Sequence, residues 1–81
     1  MGMNATQLIK MANQIGAFFV SQPDPAQARV DFAQHLRRQW DPQMRTALYA
    51  HLDANGGEGL SEFALQSLRG LREQIEPQVH A

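Results

Sequence analysis

The stretch His35-Leu36-Arg37-Arg38-Gln39-Trp40-Asp41-Pro42-Gln43-Met44-Arg45 gathers a histidine and three guanidinium groups around a tryptophan. A guanidinium is a permanently charged planar fork that bonds carboxylates and phosphates through parallel N–H donors, and it stacks on aromatic faces. Arginine and tryptophan are also the side chains most often found anchoring protein interfaces. Recognition of a carboxylate or phosphate is therefore the chemistry this stretch is equipped for. Residues 29–45 hold Arg29, Arg37, Arg38 and Arg45 against Asp31 and Asp41, a local charge of +2 in a chain whose formal net charge is −1. The plainer reading of the same residues is a solvated basic edge with Trp40 in the core.

Other chemistries are poorly supplied. Nucleophilic catalysis needs a nucleophile, a base in reach and a group that orients the base. The few Ser and Thr residues read as helix caps or exposed positions, and no paired carboxylates face a visible cleft. There is no cysteine, which removes thiolate metal ligands and disulfides. His35 and His51 are too far apart for a local metal pair, and His51 reads as a hydrogen-bonded core or interface residue. Asp53 and Asn55 fall at the first and third places of a calcium loop. Glu58 then stands where that loop needs Gly, and Ala64 where it needs a bidentate Glu. A helix-turn-helix reader of DNA would want more cations on an exposed recognition helix than this chain offers. The net charge also gives no general attraction to nucleic acid or anionic lipid.

Helices must position these groups, since no run of alternating β-branched residues signals a strand. Asn4 is placed to cap a first helix reaching about Ser21. Its apolar residues Leu8, Met11, Ala12, Ile15, Phe18 and Phe19 share a face, which Ile9, Gly16 and Val20 widen beyond half the circumference. Such breadth points to contact on two sides or to cover by a partner. Asp24-Pro25 and Asp41-Pro42 each pair a capping side chain with a proline at the first helical position, so a second and third helix meet at a sharp corner. Val30, Phe32, Ala33, Leu36 and Trp40 lie on one arc of the second helix, with Arg37 inside it and Arg38 outside. Met44, Ala47, Leu48 and Leu52 form the apolar face of the third. Asn55-Gly56-Gly57 suits a left-handed ending. Ser61 then caps a fourth helix with the stripe Ala64, Leu65, Leu68, Leu71 and Ile75, ended by Pro77.

The expectation is an all-α single domain, residues 1–81, of about four short helices joined by tight turns, with an ordered core at about 5–76. At 81 residues, 43% hydrophobic and 19% charged, the chain has a globular composition. A domain this size buries only roughly 60% of its unfolded surface. No apolar run approaches the roughly 18 residues of a membrane span, and no leader pattern precedes the first helix, so a soluble, cytoplasmic protein is expected.

The residues also carry a family likeness. Met11-Ala12-Asn13-Gln14-Ile15-Gly16 with Phe18-Phe19, then His35-Leu36-Arg37-Arg38 with Trp40-Asp41-Pro42 and Met44-Arg45, then Gly57-Glu58-Gly59-Leu60 and a closing helix, resemble the small delta subunit of NAD-dependent formate dehydrogenase. The likeness spans about residues 8–68. It implies a non-catalytic accessory subunit of a cytoplasmic complex. In that complex the large subunit holds molybdenum or tungsten on bis-molybdopterin guanine dinucleotide, with iron–sulfur clusters, and other subunits hold flavin and reduce NAD. The accessory subunit would assist cofactor insertion or retention and assembly, and would hold no cofactor itself. Under this reading the two central helices dock on the large subunit. Trp40 and Met44 would be apolar anchors, and Arg37, Arg38 and Arg45 would pair with carboxylates or cofactor phosphates. The alternative is an independent helical module binding protein or nucleic acid. In isolation, the broad apolar arcs would also allow a symmetric homodimer.

Overall fold

The computed structural model describes residues 4–78. Five helices follow one another: α1, Ala5–Phe19; α2, Pro25–Gln39; α3, Pro42–Asn55; α4, Glu62–Gly70; and the single turn α5, Arg72–Ile75. The first helical amides lack intrahelical acceptors, and each of the four longer helices begins on a side chain that supplies one. Asn4 Oδ1 accepts from the amide of Gln7 at 2.9 Å, and Asp24 from Ala26 and Gln27. Asp41 accepts from Met44 and Ser61 from Ala64. Asp24 and Asp41 each precede a proline, whose ring pushes them into extended backbone and sharpens the corners. Gly56 ends α3 at φ 67°, the left-handed ending expected from Asn55-Gly56-Gly57.

The all-α class is as the sequence indicates, but its fourth helix breaks at Leu71 (φ −117°, ψ 28°). Gly70 is a weak helix former at that point. The carbonyl of Leu68, which an unbroken helix would bond to the amide of Arg72, accepts from the hydroxyl of Tyr49 at 2.8 Å. Ile75 then turns back into the core, and Glu76 is extended ahead of Pro77.

One apolar cluster joins Leu8 and Ala12 of α1, Phe32, Ala33 and Leu36 of α2, Trp40 at the corner, Leu48, Tyr49 and Leu52 of α3, and Ala64, Leu68 and Ile75 beyond. Helix α2 packs on α1, α4 and α5, while α1 also reaches α3 and α4. On α3 the buried set includes Tyr49, which the expected face omits, whereas Ala47 is exposed.

Two residues of the MANQIG block explain the approach of α1. A Cβ on Gly16 would stand 3.3 Å from Phe63 and 3.7 Å from Phe32, so the missing side chain lets α1 lie close to α2 and α4. Asn13 clamps the α3–α4 loop, donating to Gly59 O at 2.9 Å and accepting from the amide of Ser61 at 2.8 Å.

Candidate docking surface

The residues singled out for binding separate into two groups. Trp40 is only 4% exposed and belongs to the core cluster. The chain leaves α2 at Gln39, and the extended backbone of Trp40 (φ −94°, ψ 133°) takes its ring off the helical arc. Met44 packs half-buried against that cluster. Arg45 is half-buried as well, and its Nε donates to Trp40 O at 3.2 Å while a terminal nitrogen donates to Ile75 O at 2.7 Å. It therefore joins the end of α2, the start of α3 and the last turn of α5. Trp40 and Arg45, expected to face a partner, are engaged within the chain itself, the one by core packing and the other by two backbone carbonyls. Arg37 and Arg38 remain exposed in the last turn of α2, where a cation also suits the helix dipole. Neither forms an ion pair among the described residues. Arg37 is thus exposed although the helical arc placed it on the apolar side.

The exposed apolar surface lies elsewhere, at the end of α1. Phe18 is 73% and Val20 52% exposed. Phe18 and Phe19 meet edge to face at 5.1 Å, and Phe19 meets the His35 ring at 5.8 Å. With Gln14 and Ile15 they line an open groove of about 380 Å³. A polar notch of about 240 Å³ shares Phe19 and His35 and adds Asp31, Gln34, Arg38 and Gln39. Asp31 accepts from Gln27 Nε2 at 2.9 Å, and among the described residues it forms no ion pair with the Arg38 guanidinium that shares the notch. The surface thus offers aromatic walls and one available cation, suited to an apolar side chain with a carboxylate beside it. Its sequence signal was the breadth of α1's apolar arc, wider than one packing face requires.

A second ionic cluster serves the fold. Arg72 holds both oxygens of Asp53 at 2.8 Å, reaches Glu76 at 2.7 Å and lies 4.8 Å from the Tyr49 ring centroid. The hydrogen bonds from Arg72 hold the Asp53 carboxyl below its ordinary pKa, and the same bonds push the guanidinium's own pKa further up. Burial raises the Tyr49 phenol far above its ordinary value. Asp53, first residue of the rejected calcium loop, is thus an ion-pair partner. His51 Nε2 lies 2.9 Å from Glu58 O, and Asn55 Nδ2 lies 3.2 Å from His51 Nδ1. That pattern assigns the proton to Nε2 and fixes His51 as a brace for the glycine loop. Among the described residues no three His, Asp or Glu side chains gather as metal ligands, and no helix is long and apolar enough to cross a membrane.

Compared with known families, residues 7–68 match the one described as NADH-dependent formate dehydrogenase delta subunit FdsD. No curated protein and no solved structure matches the chain.

Proposed function

Because the chain belongs to the family of NADH-dependent formate dehydrogenase delta subunits, we propose that it is a non-catalytic accessory subunit that docks on the large subunit of that enzyme. Its role there is to assist insertion or retention of bis-molybdopterin guanine dinucleotide and to stabilise the complex. The flavin and iron–sulfur subunits complete the assembly in the cytoplasm. The observation that carries the reading is the exposed Phe18 and its groove beside Arg38, which forms no ion pair among the described residues. Small domains have little apolar surface to leave uncovered, and an open aromatic edge of this kind marks an interaction site. Arg72, Asp53 and Glu76 are bonded to one another and Arg45 to backbone carbonyls, which commits these groups to stability.

The residues that could meet the cofactor directly are few. Arg37 and Arg38 are the solvent-facing guanidinium groups of the original patch, and Arg37, which stands outside the notch, is the one left to meet a phosphate of the guanine dinucleotide. The large subunit, expressed with and without this chain, tests the reading. Omission should lower both the guanine nucleotide released from the purified enzyme by acid and the fraction of intact complex. Equal nucleotide content and equal complex yield would overturn the accessory role.

A further inference from the structure

Building on the accessory-subunit reading, we propose that the α1–α2 groove seats an apolar helix of the large subunit whose carboxylate pairs with Arg38, and that the cofactor's phosphates are not its ligand. The groove's character favours a protein side chain. Its walls are Ile15, Phe18 and Phe19, with the His35 ring at one side, and it is open to solvent. Phe18, at 73% exposed, is positioned to be covered by the occupant rather than by this chain's own core.

Charge decides between carboxylate and phosphate. Residues 1–45 carry five cations against three carboxylates, while residues 46–81 carry two against five. The helices that form the groove thus belong to the cationic part of the chain, which favours an acidic segment as occupant. Within the notch itself there is one guanidinium, Arg38, because Arg37 does not line it. Asp31 shares the notch and is held by Gln27. One cation with a carboxylate at its edge matches a single acidic side chain on an apolar ridge. A dinucleotide's two phosphates would call for clustered donors, where the notch has one guanidinium, and would bring more negative charge against Asp31 than a single carboxylate does. An amphipathic helix reads such a groove through apolar residues three and four apart, with its acid on the flank.

The test is the affinity of the purified full chain for the large subunit, prepared with and without its cofactor. Phe18→Ala and Arg38→Glu should each weaken binding by about tenfold or more, as loss of an interface anchor does. Arg69→Glu, an equal charge change on α4, should leave affinity unchanged. Both groove positions are exposed, so melting curves should stay near wild type and separate lost docking from lost folding. Rising salt should weaken the wild type more than Arg38→Glu. Wild-type affinity in both groove variants would overturn the groove and leave the accessory role standing. Failure of the wild-type chain to bind at all would overturn both. An Arg38→Glu defect seen only with cofactor-loaded large subunit would identify phosphate as the ligand and sink the proposal. So would a Phe18-dependent homodimer in which the variants abolish self-association and spare large-subunit binding.

Discussion

Arg45 shows how one side chain can look like a binding group and serve as a fastener. Its guanidinium closes the carbonyls of Trp40 and Ile75, two groups at helix ends separated by 35 residues. Leaving such acceptors unpartnered costs about 1–3 kcal/mol, so Arg45→Ala should lower the free energy of unfolding in urea by that order and detach α5 first. Denaturation followed by Trp40 fluorescence checks this, since Trp40 lies under the same corner. Tyr49 presents the complementary case. Its hydroxyl supplies the hydrogen that Leu68 O lacks, and burial raises its pKa. A group with a raised folded pKa contributes stability that is complete below its unfolded value near ~10 and lost as pH rises toward the folded one. Wild-type stability should therefore fall above about pH 10, and Tyr49→Phe should be weaker by about 1 kcal/mol at neutral pH yet flatter on the alkaline side. Asp53 runs in the opposite direction. Its depressed pKa gives a contribution present above the unfolded value near ~3.9 and lost as pH falls through the folded one, so Asp53→Asn should flatten the acid limb of a pH–stability curve.

At the scale of elements, the glycines separate turn chemistry from helix chemistry. Gly57 sits at φ +80°, and a Cβ there would come within 2.6 Å of Leu65 and 2.9 Å of Leu52. Gly57→Ala should destabilise the protein by about 2 kcal/mol or more, from left-handed strain and overpacking together. Gly70 closes α4 with open space around it and no left-handed requirement. Gly70→Ala should stabilise by about 0.5 kcal/mol, and paired thermal melts would show the opposite signs. The helix starts were legible in the sequence because Asn4, Asp24, Asp41 and Ser61 act on amides two or three residues away. The left-handed close of α3 was legible for the same local reason. The break at Leu71 was not, since the stripe Ala64, Leu68, Leu71 and Ile75 keeps helical spacing across it. Its partner, Tyr49, belongs to another helix.

For the whole molecule, the same divide between local and distant causes governs the candidate site. Arg37, Arg38, Trp40 and Arg45 are close in sequence, but the Trp40 ring enters the core and Arg45 turns toward α5, 30 residues on. Residue type could not reveal that separation, because contacts made after the corner closes decide it. The excess apolar breadth of α1 was visible, whereas its junction with Arg38 required the packing of α1 on α2. The Asn13 clamp carries a kinetic consequence. Ser61 stands at the exposed start of α4, a place where amide protons ordinarily exchange with solvent through local fraying. Its amide proton is held instead by a side chain 48 residues away. Deuterium uptake at Ser61 should therefore be slow, keep pace with exchange at core amides and quicken in Asn13→Ala. A surface proton would then serve as a clock for opening of the whole domain.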